Sequence, residues 1–433
     1  MLTIQFGQCG NQLGQSLFSQ LSDDLNAKDT AISKQDNSTY TEQSFQKWFT
    51  GLNKDGKRLA RAILLDTEHK VINSIRRDTK DHWAYNSQNF IYQSAGGSAN
   101  NWAFGSLVKG PQLKDNILEY SRREIEKNDS FDGILLLLSS AGGTGSGVGS
   151  YTVDLLRNEF PNKTIVGSIV LPFTSGEVGV QNYNTMLTIA RFNETADLTL
   201  LFQNEHVHSI CTKDLKNTDT KLMDMNDVIS RKLCSVFQPV NDVWCNANYL
   251  TSTVACHPSY KIATIESTPY VPPRVSEFES AYSWGLYVKH LKQSLRCPAI
   301  GKTDVKPVTL KSGQSYYKSV TNVLVSRGKF TKNDPLTCDE FKNKAMYVDW
   351  LGSSDQLTCL NQQRRLVNHE KFLALVTNNA KVSQTLDGIV TKAWNTYVHG
   401  AFLHQYKKFG LEEDDFLEAF GKVENVIKNY KNL

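Results

Sequence analysis

Residues 131–160, FDGILLLLSSAGGTGSGVGSYTVDLLRNEF, contain the unit that decides the fold. The unbroken apolar run 133–138, bounded by glycine, predicts a strand that is buried on both faces. A glycine loop follows at 142–147, and an amphipathic pattern then predicts a helix that Pro161 ends. N–H groups at the start of such a helix, with the positive end of the helix dipole behind them, favour a bound phosphate. The candidate binding residues are Ser139, Gly142, Gly143, Thr144 and Gly145.

The glycine loop also has simpler interpretations. A glycine-rich turn can serve only to let a helix pack closely against a strand, and this alternative stays open. Two known phosphate-binding loops are excluded. The dinucleotide-binding pattern needs a glycine where Val148 stands, and no Lys-Ser or Lys-Thr pair follows as in a P-loop.

A second unit of the same kind begins the chain. Residues 2–6 alternate between apolar and polar side chains, which predicts a strand. The following GQCGNQLG, residues 7–14, predicts a tight loop that leads into a helix. The candidate binding side chains here are Gln8, Cys9 and Gln12. The alternative is that both glutamines only cap the helix and face solvent.

Two acids follow a third predicted strand, residues 61–65. Asp66 and Glu68 stand directly after it, and ligands bind at the C-terminal ends of the strands in an α/β sheet. Two acids one residue apart can hold a hydrated Mg²⁺, which prefers one or two carboxylates together with phosphate oxygens and water. An ordinary pair of surface acids is the alternative.

The loops resemble those of one family. AGGTGSG, residues 141–147, resembles the tubulin signature GGGTGSG, and GQCGNQ, residues 7–12, is identical to the first nucleotide loop of tubulins. A third small-residue loop, GGSANNWA at 96–103, resembles the tubulin loop that ends in Asn-Asn-Trp/Tyr-Ala. The resemblance covers essentially the whole chain. Features typical of the δ branch are AGGTGSG, GEVGVQNYN at 176–184, KAWN at 392–395 and the ending Asn-Leu.

The resemblance implies an α/β fold of the tubulin/FtsZ type. We expect a Rossmann-like GTPase domain with a parallel sheet at 1–220, a core linking helix at 221–240, an α+β intermediate domain at 241–378 and C-terminal helices at 379–433, without an acidic tail. Within this frame, three segments carry separate expectations. They are an exposed loop or short helix at 26–57, a loop at 267–279 where tubulins make lateral contacts, and one long helix at 382–405.

The resemblance also implies the ligands, GTP or GDP with Mg²⁺. Glu68, with Asp66, is then expected to position the magnesium. Asn100 is expected to reach phosphate or ribose, and Asn204 and Asn226 the guanine or ribose edge. The remaining implied residues are Glu177, Gln181 and Leu222. The chain departs from the family at the last two. Gln181 replaces a glutamate, and Leu222 replaces an aromatic side chain and so lacks π-stacking with the base.

Turnover is a separate question. In α-tubulin a glutamate in the helix after the core helix completes the site of the next subunit, and the resemblance aligns that position with Tyr249. Asp242 is the only acid between residues 228 and 263. A tyrosine substitutes poorly for a carboxylate that orients water. We therefore assign no catalytic residue and expect a slow or partner-dependent GTPase.

Three functions agree with this pattern. The first is a specialised GTP-binding tubulin that assembles or docks with other tubulins at centrioles and basal bodies of cilia. The second is an ordinary microtubule-forming GTPase, and the third is a nucleotide-dependent scaffold that never polymerises. The absent acid and the altered loop at 267–279 count against the second.

Composition argues against several other classes of protein. The chain has 433 residues and a net charge of +4, which is too small to indicate nucleic-acid binding. Its longest apolar run is far shorter than the roughly 20 residues that a membrane span needs. Eight cysteines without a Cys-x-x-Cys pair favour reduced thiols, and thus a cytoplasmic protein, over a disulfide framework or a zinc site.

Overall fold

The computed structural model describes residues 1–27, 32–77, 81–93, 96–127, 131–176, 178–240, 246–272, 282–298, 305–310, 313–367 and 369–433, and the fold is that of these residues. Glu177, Asp242 and residues 273–279 of the expected lateral loop lie outside these residues.

The described residues form fifteen strands, and the strands predicted at 2–6, 61–65 and 133–138 are among them. The fifteen are β1 (Leu2–Phe6), β2 (Phe49–Leu52), β3 (Arg58–Ala60), β4 (Ala62–Asp66), β5 (Trp83–Tyr85), β6 (Phe90–Tyr92), β7 (Ile134–Ser139), β8 (Ile165–Leu171), β9 (Leu198–Gln203), β10 (Ile262–Thr268), β11 (Val308–Thr309), β12 (Ser315–Tyr316), β13 (Ser319–Arg327), β14 (Leu357–Gln362) and β15 (Phe372–Asn379).

Helices connect most of these strands. They are α1 (Gly7–Asn26), α2 (Lys34–Trp48), α3 (His69–Arg77), α4 (Gly110–Glu126), α5 (Gly149–Glu159), α6 (Gln181–Thr195), α7 (Asn204–Ser209), α8 (Leu222–Phe237), α9 (Ala247–Val254), α10 (Trp284–Ser294), α11 (Ser353–Gln356), α12 (Lys381–Val398), α13 (Leu403–Lys407) and α14 (Glu413–Lys431). Two π-helical turns, Phe104–Lys109 and Thr144–Val148, lead directly into α4 and α5.

The central sheet of the described residues has ten strands in the order β14-β13-β15-β10-β9-β8-β7-β1-β4-β6. Neighbouring strands from β10 to β6 are parallel. The chain runs outward from β1 to β4 and β6 on one side, and from β7 to β8, β9 and β10 on the other. The order therefore reverses between β1 and β7. In such sheets the crevice at the carboxyl ends of the strands at this reversal is where ligands bind.

The sheet is buried on both faces, as the apolar run in β7 predicts. Leu135 and Leu137 pack into a cluster that contains residues of α1 and α8. Ile134, Leu136 and Leu138 point the other way, into a cluster with residues of α5, α6, α12 and α14. Because successive side chains of a strand alternate between faces, one continuous apolar strand supplies both cores. The predicted α/β architecture with a parallel sheet is confirmed.

Strand β10 continues the sheet into the second half of the chain. It pairs in parallel with β9 on one side and antiparallel with β15 on the other. Strand β13 then lies antiparallel to β15 and parallel to β14, which is the edge of the sheet. One sheet thus extends from the expected GTPase domain into the expected intermediate domain, and the domain boundaries stay a prediction.

Three expectations need correction. The chain enters α1 directly at Gly7, so residues 7–12 form the first turns of a helix instead of a loop before it. The polar segment 26–57 contains the full-length helix α2, which Ser33 caps by accepting a hydrogen bond from Asp36 N at 3.0 Å. The expected helix at 382–405 is two helices, because Phe402 adopts the left-handed conformation between α12 and α13.

Candidate functional site

A cleft of about 440 Å³ opens at the carboxyl ends of β1, β4 and β7. This is the size of a typical small-molecule site. It collects side chains and backbone from separate parts of the chain. The sequence-predicted residues that line it are Gln8, Cys9, Gln12, Asp66, Glu68, Asn100, Ser139, Gly142, Gly143, Thr144, Gly145, Asn204, Leu222 and Asn226.

The glycines after β7 fall into two groups, those that close packing requires and one that leaves space in the cleft. A Cβ atom on Gly143 would overlap the carbonyl oxygen of Ser98, and one on Gly145 would overlap the carbonyl oxygen of Ser139. At Gly142, by contrast, the nearest atom to an added Cβ would be Asn100 Oδ1 at 3.6 Å. The packing interpretation therefore accounts for the missing side chains at 143 and 145. Gly142 is the glycine that leaves room at the cleft.

Three hydroxyl groups tie the loops together. Thr67 Oγ1 lies 2.7 Å from Thr144 Oγ1, Ser98 donates to Thr67 at 3.1 Å, and Thr144 donates to Ser98 at 3.2 Å. All three residues are buried. No role was predicted for Thr67 or Ser98. The small-residue loop at 96–103 was a signal that could have pointed to Ser98. No local pattern indicates that the three hydroxyl groups meet.

Asn184 joins two of the lining loops from below. Its amide Nδ2 donates to the carbonyl oxygens of Ala141 at 2.7 Å and Asn100 at 2.8 Å, and its Oδ1 accepts from Trp102 N at 3.0 Å. Asn100 has a φ of 51°, a left-handed conformation that asparagine tolerates better than most residues. The fully buried Asn184 thus holds the turn that presents Asn100 to the cleft.

The first turns of α1 face the same cleft. Gly7 has a φ of 64°, which lets β1 turn into the helix within one residue. This conformation brings Gln8, Cys9 and Gln12 to the cleft wall. Burial raises the pKa of the Cys9 thiol to about 12, so Cys9 is a neutral thiol at physiological pH and not a nucleophile.

Two further helices begin at the opposite wall. Asn204 is the first residue of α7, and Leu222 is the first residue of α8. Asn226 lies one turn further along α8 and is 8% exposed, whereas Leu222 is 58% exposed. The wall therefore offers two carboxamides inside and an exposed apolar side chain at the rim.

The comparison with known proteins agrees with this geometry. Residues 1–212 match the Tubulin/FtsZ family, GTPase domain. The chain is 34% identical to the tubulin delta chain of Canis lupus familiaris and 33% identical to that of Macaca fascicularis, over 456 residues and all of both chains in each case. The chain belongs to the tubulin family. It is also 25% identical to the tubulin beta-1 chain of Geotrichum candidum over 438 residues, which cover all of this chain and 94% of that relative.

The predicted resemblance to tubulins, and within them to delta chains, is confirmed. This tubulin has the α/β fold that the resemblance implied, and its cleft lies within the segment that matches the GTPase domain, except for the part contributed by α8. Among the described residues, no helix combines the length and apolar character that crossing a bilayer requires.

One implied residue of this tubulin, Gln181, does not line the cleft, and a second lies outside the described residues. Gln181 is buried, and its Nε2 donates to the carbonyl oxygen of Phe173 at 2.8 Å, so it holds the loop after β8. It is not among the residues that line the cleft. Glu177, in the same loop, lies outside the described residues.

The cleft is acidic. Its lining contains Asp66 and Glu68 and, within the part of the chain that the structure describes, no lysine or arginine. Burial, reinforced by the charge of Glu68, raises the pKa of Asp66 to about 6. The same described residues contain no group of three histidine, cysteine or acidic side chains placed to hold a metal. A cation here would thus have at most these two protein carboxylates and would take its other ligands from substrate oxygens and water.

Helix α9 carries the position that the resemblance aligns with the α-tubulin glutamate. Tyr249 is half-buried in its first turn, and Asn246 caps the helix by accepting from Tyr249 N at 2.7 Å. Asp132 accepts from Ala247 N at 2.6 Å and forms an ion pair with Lys47 at 2.9 Å. This nearby carboxylate is therefore already occupied in holding the helix.

Proposed function

We propose that this tubulin binds a guanine nucleotide with Mg²⁺ in the cleft and acts with other tubulins at centrioles or basal bodies. The observation that carries the proposal is that one cleft collects the starts of α1 and of the turn Thr144–Val148, the carboxamides of Asn204 and Asn226, and the carboxylates of Asp66 and Glu68. Each supplies a different part of nucleotide recognition.

The phosphates would meet backbone groups. The first N–H groups of a helix have no partner within the helix, and both α1 and the turn Thr144–Val148 begin at the cleft. Gly142 leaves space beside them, and Gln8 and Gln12 add amide donors. Backbone donors of this kind suit an anion whose oxygens point in several directions.

The base would meet Asn204 and Asn226. A carboxamide both donates and accepts, so these two amides can be oriented to match the acceptor O6 and the donor N–H groups of guanine, a pattern that adenine lacks. Leu222 at the rim can cover one face of the base without the π-stacking of an aromatic ring. The expected result is a preference for guanine over adenine with moderate affinity.

The donor set fits Mg²⁺. A nucleotide triphosphate would bring several negative charges into a cleft whose lining already holds Asp66 and Glu68 and, among the described residues, no basic side chain. A divalent cation held by these carboxylates would offset the repulsion, and carboxylates with phosphate oxygens are the ligands that Mg²⁺ prefers. Bound there, the cation would neutralise phosphate charge.

Hydrolysis is proposed to be slow in the isolated protein and to depend on a partner. Support comes from α9, where Tyr249 occupies the position aligned with a carboxylate and Asp132 is engaged by Ala247 N and Lys47. A partner tubulin with an acid in its own equivalent helix would complete the site when that helix abuts this nucleotide. The opposite stacking would leave the partner's GTP intact.

The centriolar role rests on the δ resemblance. Its support is the 33–34% identity over the whole length of two delta chains, compared with 25% to a beta chain. Sedimentation of the protein with and without GTP, alone and with αβ-tubulin heterodimer, tests it. GTP-dependent co-sedimentation is expected only with the heterodimer. If the protein sediments without the heterodimer, it is an ordinary polymer-forming tubulin. If it sediments neither by itself nor with the heterodimer, it is a scaffold that never polymerises.

A further inference from the structure

Two cysteines touch on the surface of the second half of the chain. The Sγ–H of Cys359 donates to Sγ of Cys338 at 2.8 Å, although the residues are 21 positions apart. Cys359 is exposed and Cys338 is half-buried, and both are free thiols. Solvent can therefore reach a pair of sulfur atoms that the fold already holds together.

Well-defined elements hold both sulfurs. Cys359 lies in the middle of β14, opposite Leu324 of β13, at the edge of the large sheet. Cys338 directly precedes the short 3₁₀ turn Asp339–Phe341, whose Phe341 is fully buried in the core of the second half. The contact is thus set by ladder pairing on one side and by a buried anchor on the other.

We propose that Cys338 and Cys359 are a modification site, at which peroxide converts the dithiol into a reversible intramolecular disulfide. The thiolate of Cys338 attacks one peroxide oxygen, so that an S–O bond forms, the O–O bond breaks and hydroxide leaves as water after taking a proton. The Cys359 sulfur then attacks the Cys338 sulfur, the S–O bond breaks and a second water leaves. The two sulfurs lose two electrons in total, and one peroxide is reduced to two waters.

The surroundings assign the order of the two cysteines. The hydrogen bond from Cys359, followed by the nearby charge of Lys342, lowers the pKa of Cys338, although burial opposes the shift. The pKa of Cys359 is raised, first because its hydrogen is held by Cys338 and second because of burial. Since the thiolate is the nucleophile, Cys338 reacts with peroxide and Cys359 resolves the product.

The disulfide would join the edge strand to the 338–341 segment. Strand β14 leads directly to Gln362 and Arg364. Gln362 donates to the carbonyl oxygen of Pro239 at 3.3 Å, and Arg364 pairs with the buried Asp24 of α1 at 2.8 Å. Oxidation would therefore stiffen the segment that connects the two halves of the chain. An exposed disulfide is also open to reduction, which makes the modification reversible.

The experiment treats the full-length protein with dilute hydrogen peroxide and maps its peptides without reduction. The wild type should yield a peptide in which Cys338 is linked to Cys359, with the loss of two hydrogen atoms and no added oxygen. Dithiothreitol should restore both thiols. The oxidised protein should also unfold at a higher denaturant concentration, because the cross-link constrains the unfolded chain.

Three variants sharpen the test. Cys256→Ser removes an exposed cysteine outside the pair and should leave the linked peptide and the stability gain unchanged. Cys338→Ser and Cys359→Ser should abolish both, and Cys359→Ser should accumulate sulfenic acid at Cys338. If the wild type instead oxidises the two sulfurs separately, or forms only disulfides between chains, the proposal is wrong.

Discussion

The nucleotide cleft and helix α9 depart from the tubulin pattern to very different degrees. The cleft keeps the glycine loops, the asparagines Asn204 and Asn226 that are proposed to contact the base, and the acid pair, and its main change is Leu222 at an exposed rim. In α9 the change falls on Tyr249, the position aligned with the water-orienting carboxylate. In the proposed function, nucleotide binding depends on the cleft and turnover depends on α9, so a sequence can retain the first and lose the second.

The largest expected effect concerns turnover. Phosphate release by the isolated protein should be slow and should not rise with its concentration, because its own Tyr249 would face a neighbour's nucleotide. In the mixed assembly, where Tyr249 would abut a partner's nucleotide, Tyr249→Glu should raise the hydrolysis rate of that nucleotide by about 10²–10⁴-fold, the usual contribution of a general base. Tyr249→Gln is the matched control and should not.

A second measurement follows phosphate release with αβ-tubulin heterodimer added. The wild-type rate should recover only in the mixed assembly. A rate that climbs steeply with the concentration of this chain alone would mean that Tyr249 is not the relevant position, or that Asp242 orients the water.

The two kinds of glycine in the cleft should respond differently to valine. Gly142→Val places a branched side chain into the free space and should lower nucleotide affinity on the order of tenfold to a hundredfold, since overpacking costs about 1–3 kcal/mol. Gly145→Val overlaps the Ser139 carbonyl and should instead lower the free energy of unfolding. Calorimetry measures the nucleotide affinity of each variant, and denaturant titration measures its free energy of unfolding. If both variants change these two quantities alike, the distinction between the two kinds of glycine is wrong.

Base selection gives a smaller effect. Asn226→Ala should reduce the preference for GTP over ATP by about tenfold, because a hydrogen bond within a buried site contributes about 1.5 kcal/mol. Met223→Ala is a suitable control, since Met223 is on the same helix, is 68% exposed and does not line the cleft. Competition binding measures both. Equal affinities for GTP and ATP in the wild type would contradict the assignment of guanine.

The smallest effect tests the three hydroxyls. Thr144→Ala removes one corner of the Thr67–Ser98–Thr144 contact and should lower stability by about 0.5–1.5 kcal/mol, together with a few-fold loss of nucleotide affinity. Thr144→Ser keeps the hydroxyl and should restore most of both. If serine and alanine behave alike, the methyl group rather than the hydroxyl matters at this position.

Local pattern was sufficient for the elements nearest the cleft. The apolar run before the glycines predicted β7, and alternation predicted β1, because both patterns depend on which side of a strand each residue faces. Local pattern was insufficient for a helix made mainly of polar residues and for a break within a helical pattern. The length and burial of helix α2 were underestimated because its composition is polar, although Tyr40 and Trp48 anchor it in the core. The break at Phe402 was missed because the flanking pattern is helical on both sides.

The sequence by itself determined the strand–glycine–helix units, the family and nearly all of the polar side chains that line the cleft. Only the tertiary structure decided that β1 lies between β4 and β7, that Asn184 holds two loops, and that Gln181 turns to Phe173 instead of the cleft. The physical reason is range. Periodicity and glycine act on neighbours along the chain, whereas parallel pairing and buried hydrogen bonds join residues far apart in sequence, whose meeting depends on the whole fold.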